Sequence, residues 1–379
     1  MKIYVVQPND TVDSISRQQN AGLASLIEVN QLTPPYRLAV GQALLLTGND
    51  SPDILPPDRP GAVLRSGYAY PFISAQVLSE TLNHLTELAV FSYGFTDSGG
   101  LIPPALDDQW MTANAVSRGV LPTLTLTPLD SDGRFNNTLV SSLVRSPSAQ
   151  RRLITGLASV MLEKGYQAVN IDFEYILGED RDAYTAFVAY TTYALNILGY
   201  QVSVALAPKY SDDQQGLLYE GMDYAGLGAA ANWVVLMTYE WGYTYGPPMA
   251  VAPLNQVRRV VEYALTKIPA GRISLGIPNY GYDWPLPYTR GTTKARTLSN
   301  LEAVQTAVFY GVPILFDETA KSPYFRYWHY GVQHEVWFED VRSWLEKFRL
   351  VREYKLKGFT VWQIMNLFRS GWVLSDFFF

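Results

Sequence analysis

Cysteine is absent from all 379 residues. Disulfides and thiolate metal sites are therefore excluded. Histidine is almost absent too: His84, His329 and His334 are the three, and none sits at the end of an expected strand. No metal and no other cofactor is expected. No run approaches the ~20 consecutive apolar residues of a membrane-spanning helix. The N-terminal MKIYVVQPNDTVDS is interrupted by Asn9 and Asp10 before any apolar stretch of signal-peptide length, so no signal peptide is expected. Charged residues make up only 17% of the chain, with a net charge of −6. Lys and Arg are scattered among the acids. No basic stripe suits nucleic acid and no polybasic segment suits an anionic membrane. What the chain does have is apolar residues (48%) and aromatics (13%, with 26 Tyr and 9 Trp). The first implies a globular protein with a sizeable core. The second suits core packing and stacking on sugar rings or on bases, and the acidic balance favours sugars.

The first 47 residues read as a small βααβ unit. YVVQ alternates like a short strand, and PND is a turn. Asp10 or Thr11 caps a helix over 12–19, and a second helix over 23–29 ends at Asn30. Leu38, Val40, Leu44 and Leu46 suit a closing strand around a turn at Gly41-Gln42. Residues 48–61, rich in Pro, Gly and Asp, read as a semi-rigid linker. From 62 to 379, eight strand-like runs alternate with helical stretches: VLRSGYAYPF, ELAVFSYGF, GVLPTLTLTP, YQAVNIDFE, YQVSVALAPK, NWVVLMTYEW, ISLGIPNYGY and GFTVWQIM. Ser146-Pro147 opens a helix that Gly165 stops, and another helix stops at Gly199. The alternation predicts an α/β fold, a (β/α)8 TIM barrel. A doubly wound sheet is the alternative, but no glycine-rich phosphate loop follows any strand. The gap before the last run is too long for a simple crossover. It predicts a small α+β insertion at about 283–345, between strands 7 and 8, containing the helix NLEAVQTAVFYG and the strands FRYWHYG and HEVWFED.

Within GYQAVNIDFEYI, at 165–176, Asn170, Asp172 and Glu174 alternate with Val169, Ile171 and Phe173. On a solvated strand this would be ordinary. Here the run follows one helix and precedes another, which marks a central parallel strand. The apolar set then faces the helices, and the polar set faces the barrel interior with residues ~6.6 Å apart. An inward carboxylate is costly without partners. Glu174 comes last, at the C-terminal end, where barrel active sites lie. Two carboxylates this close resist simultaneous ionisation, so one remains a proton donor near neutral pH.

The N-terminal unit resembles a LysM module on Asp10-Thr11, Ile15, Ile27, Asn30, Leu32, Gly41-Gln42 and Leu44, with Asn9 where that family usually has Gly. Such modules bind N-acetylglucosamine glycans, and a docking domain without sugar affinity is the alternative. The strand-four row resembles the DxxDxDxE signature of family 18 glycoside hydrolases, here with Gln167 and Asn170 at the first two Asp positions and Asp172 and Glu174 at the last two. Met237 and Tyr239 of LMTYEWG match the sixth-strand motif, with Glu240 where most members have Asp. Trp362 matches the eighth-strand Trp. The N-I-D-F-E wording is similar to that of the LysM-bearing, spore-associated branch that cleaves cortex peptidoglycan fragments.

The resemblance implies substrate-assisted hydrolysis of β-1,4 bonds next to N-acetylglucosamine, with net retention. Glu174 would be the acid and base, Asp172 would orient the acetamido group, and Tyr239 would donate to its oxygen. Asn170 would bond Asp172 or merely pack. Trp362 would floor the sugar pocket or serve as a core Trp, and Glu240 would meet sugar hydroxyls. Tyr93, Asn279, Tyr280, Tyr282, Trp241 and Trp284 lie near expected strand ends, and some are expected to line the groove with Met237. The expected partners are peptidoglycan or chitin-like glycans, with neither nucleic acid nor a membrane span. The expected location is the spore. A chitinase or chitooligosaccharide hydrolase, and a non-catalytic glycan-binding coat protein, are the alternatives.

Overall fold

The computed structural model of the chain describes residues 1–48, 54, 63–130 and 133–379. The expected linker, apart from Gly48 and Ile54, lies outside the described residues.

The small module pairs Lys2–Val5 antiparallel with Ala43–Leu46 and stacks the helices Val12–Gln18 and Leu23–Val29 beside them. Local chemistry sets each boundary. Asn9 takes the left-handed turn conformation, φ 70°. Thr11 accepts from the Ser14 amide at 3.1 Å, and Ser14 returns the bond, so the first helix starts on a reciprocal cap. Asn30 ends the second helix and ties it to the closing strand, bonding both backbone groups of Leu45 at 2.9 and 2.7 Å. Ile15, Leu26, Leu44 and Leu46 fill the interior.

The eight expected runs each supply one strand of a closed parallel barrel: Leu64–Ala69, Glu87–Phe95, Leu121–Leu126, Ala168–Ile171, Gln201–Leu206, Trp233–Leu236, Ile273–Pro278 and Gly358–Trp362. Each pairs with the next, and the last closes on the first. The helix Pro147–Lys164 is capped by Ser146 and stopped by Gly165 at φ 78°. Val169, Ile171 and Phe173 are fully buried under the helices, with Phe173 stacked on Phe95, Tyr184 and Phe187. The opposite face of that strand therefore looks inward, as its alternation requires.

The seventh run splits. The barrel strand ends at Pro278, and Gly281–Leu286 turns into a separate five-stranded antiparallel sheet. Gly281 permits the turn, since a Cβ there would lie 2.3 Å from the Trp337 carbonyl oxygen. The insertion sheet also holds Arg296–Leu298, Leu315–Asp317, Ser322–His329 and Val332–Trp337, with the helix Asn300–Tyr310 against it. The helix Val341–Glu353 returns to the barrel wall, where Trp344, Phe348 and Val351 join the main core.

The module is seated directly on the barrel. Leu45 is part of the barrel's core, and Ile3, Val29 and Ala43 pack against it. The Ile314 amide donates to the Val40 carbonyl at 2.8 Å. Arg342 reaches the Gly41 carbonyl at 3.2 Å, and Arg369 reaches Glu28 and Gln31.

Candidate active site

Asp172 and Glu174 extend from the end of the fourth strand into a cavity of about 580 Å³ at the C-terminal mouth of the barrel. Met237, Tyr239 and Glu240 enter from the sixth strand's end, and Trp362 from the eighth. Asp172 is 6% exposed, and its Oδ1 has no hydrogen-bond partner among the described residues. Burial pushes its pKa up to about 7. Glu174 rises to about 8 by burial and then by the charges of Asp172 and Glu240. The two protons belong to the pair rather than to either residue. Near neutral pH the mouth therefore holds a protonated carboxyl ready to donate.

Tyr239 brings its phenol beside this pair. Burial raises its pKa well above the ordinary value, and the nearby Asp172 and Glu174 charges raise it further, so it remains a donor. Gly276 on the seventh strand leaves room for the ring: a Cβ there would meet Tyr239 Cε1 at 2.8 Å. Glu240 sits at the rim in a left-handed conformation, φ 68°, and accepts from the hydroxyls of Tyr280 and Tyr282, the latter at 3.0 Å. Trp362 packs edge-on to Phe91 and Tyr68, with centroids at 5.0 and 5.3 Å, and its exposed face borders the cavity. That is an apolar surface suited to a sugar ring.

Several expected positions serve other ends. Asn170 does not reach Asp172 by any hydrogen bond: its Oδ1 accepts from Tyr68 at 2.9 Å, and its amide donates to Ser203 at 2.8 Å. An amide satisfied on both ends below Asp172 leaves that carboxylate without an inner partner. Tyr93 points away from the cavity. It is fully buried and donates to Asp108 at 2.6 Å. Asn279 donates to the carbonyls of Gln363 and Asn366 at 3.1 and 2.9 Å, bracing the chain after the eighth strand. Tyr280 and Tyr282 turn their hydroxyls to the Glu240 carboxylate. Trp284 is buried, donating to Gly246, and Trp241 packs against the barrel core. Gln167, at the first position of the signature, lies exposed just before the fourth strand.

The opposite wall was not expected. Tyr70 and Phe72 follow the first strand with their rings stacked at 5.1 Å, and Phe72 is 66% exposed. Pro104, Leu106, Leu129 and Phe135 continue this apolar face. The one sequence signal for it is the YPF triplet at the end of strand one.

An acid pair, a buried phenol and an aromatic floor at the mouth of a parallel barrel define a glycoside hydrolase. Residues 133–366 match the model of glycosyl hydrolases family 18, and residues 4–47 match the LysM domain. The chain belongs to family 18. It is 36% identical over 426 residues to the cortical fragment-lytic enzyme of Bacillus subtilis (strain 168), a match spanning 100% of this chain and 98% of that one. Among solved structures it superposes on the spore cortex-lytic enzyme SleL of Bacillus megaterium QM B1551 with a TM-score of 0.91, at 30% identity over 100% of this chain and 97% of that one. A chitinase from Chromobacterium violaceum, at 24% identity and a TM-score of 0.76 over 83% of this chain and 98% of that one, shares the fold. A LysM module joined to a family 18 barrel marks a chain that binds N-acetylglucosamine glycans.

Proposed function

We propose that the chain cleaves β-1,4 bonds next to N-acetylglucosamine in spore cortex peptidoglycan, acting at the spore, by substrate-assisted catalysis. The single observation that carries the chemistry is the pair of carboxyls lining the mouth cavity, Glu174 beside an Asp172 whose Oδ1 has no partner among the described residues. In the first step Glu174 gives its proton to the glycosidic oxygen. The substrate's own acetamido oxygen attacks the anomeric carbon, and the bond to the leaving sugar breaks. Asp172, through the free Oδ1, accepts from the acetamido N–H and balances the positive charge of the oxazolinium ion. Tyr239 donates to the acetamido oxygen and aims it. In the second step the Glu174 carboxylate takes a proton from water. That water opens the oxazolinium at the anomeric carbon, and the configuration is retained. Trp362 supports the reacting ring. The cortex substrate is supported by the near full-length likeness to two cortex-lytic enzymes.

The test is digestion of purified cortex by the wild-type chain and by Glu174→Gln, followed by mass analysis of the new reducing ends. Wild type is expected to release fragments ending in reducing N-acetylglucosamine. The variant is expected to be slower by roughly 10²–10⁴-fold while still binding. Equal release by both would remove Glu174 from the reaction. Faster turnover of chitooligosaccharides than of cortex fragments would favour a chitinase.

A further inference from the structure

Two cavities outside the active site meet under the insertion helix Asn300–Tyr310. One, of about 610 Å³, is the cleft of the small module, lined by residues 10–13 on one side and 35–38 on the other. Val308 of the insertion helix completes its wall. The other, of about 340 Å³, lies where module, insertion and barrel join. It is lined in part by Val308, Phe309, Gln305 and the fully buried Glu339, whose Oε1 has no partner among the described residues. Pro35, Arg37 and Val308 border both, so the two spaces adjoin along the insertion helix and the module's second loop.

The junction is fixed in shape. The Ile314 amide holds the Val40 carbonyl, and Arg342 holds that of Gly41 while its guanidinium stacks over Phe316 at 4.3 Å. Two aromatic rings are displayed along it. Phe309 is 81% exposed, a large apolar surface turned to solvent beside the junction. Tyr36 is 39% exposed and sits at φ 58°, a conformation that a bulky side chain rarely adopts without a reason in the surrounding structure. Asp13, Arg37 and Gln305 add polar groups to the linings. Aromatic faces together with hydrogen-bonding groups at an open surface suit a pyranose strand, whose rings carry apolar faces and polar edges.

We propose that the insertion helix forms one wall of the glycan-binding groove, so that an N-acetylglucosamine-containing strand held in the module's cleft also lies against Val308 and Phe309. The proposal rests on the glycan-binding reading of the LysM module and adds a contact from the catalytic half. Binding affinity is then a property of the docked pair, and the orientation of the bound strand is set by the barrel.

The experiment uses the full chain carrying Glu174→Gln, which binds without consuming its target. Retention on insoluble peptidoglycan is measured as a binding isotherm. Phe309→Ala is expected to weaken it roughly three- to tenfold, the worth of one aromatic contact, and Phe309→Trp to keep it. Tyr36→Ala weakens it as well. Melting temperatures of the Phe309 variants are expected to match the parent, because the ring is exposed. If Tyr36→Ala weakens binding and Phe309→Ala leaves the isotherm unchanged, the helix has no part in the groove and the module's reading stands. If neither changes it, the module's own reading falls and the shared groove falls with it.

Discussion

Asp172 carries a buried oxygen with no partner among the described residues, and a folded protein keeps such an atom at a cost. The cost has a definite pH dependence. Its folded-state pKa, about 7, lies above the ordinary carboxylate value. The native state therefore holds the proton more tightly than the unfolded chain does. Stability from this group is fully present below the unfolded value and is lost as pH rises through the folded one. Asp172→Asn removes the loss. Its melting temperature is expected to exceed that of wild type by a margin that grows from pH 5 to pH 8, while hydrolysis collapses. A margin independent of pH would show that the carboxylate is not the destabilising group. Activity should likewise decline above pH 8, as Glu174 gives up the proton it donates. Asn170 bears on both effects. An aspartate in its place could share a proton with Asp172, whereas the amide is committed to Tyr68 and Ser203.

At the scale of elements, strand ends decide which side chains work. The fourth strand's alternation made Asp172 and Glu174 legible, since a period of two in a parallel barrel has only one inward face. Met237 and Tyr239, which stand beside them, came from the likeness of LMTYEWG to the family's sixth-strand motif and not from alternation. Nearness to a strand end misleads for Tyr93 and Asn279: Tyr93 lies within the second strand, past a register shift between Val90 and Tyr93 that breaks the alternation, and Asn279 lies just past the end of the seventh strand, where alternation no longer applies. Tyr93 turned outward to Asp108, and Asn279 turned to the loop after strand eight. Gly276 is the reverse case, a mid-strand glycine whose purpose lies on its neighbour. A Cβ there would press on the Leu236 carbonyl at 2.3 Å as well as on Tyr239. Gly276→Ala is expected to cost about 1–3 kcal/mol of stability, read as a lowered melting temperature. By moving the phenol it should also lower kcat on the order of 10²-fold. Unaltered kcat would mean that Tyr239's placement is unimportant.

At the scale of the whole molecule, the module is an extension of the barrel's surface. It shares a core through Leu45, and its turn is pinned to the insertion at Gly41. Gly41 has φ 84°, and a Cβ there would lie 1.9 Å from the Ile314 carbonyl oxygen. Gly41→Ala should lift the module from its seat at a cost of about 1–3 kcal/mol. Limited proteolysis is expected to cut the variant between module and barrel faster than wild type. Equal cleavage rates would show that the seat does not depend on this contact.

The sequence by itself determined the eight strands, the βααβ unit, the insertion's place and the inward acid pair. Each is written in local periodicity and in residues that start or stop an element. Only the tertiary structure decided that Asn170 serves Tyr68 and Ser203, that Tyr70 and Phe72 wall the cavity, and that the module shares the barrel's core. Those facts depend on which distant side chains meet across the closed barrel, and no local pattern encodes that meeting.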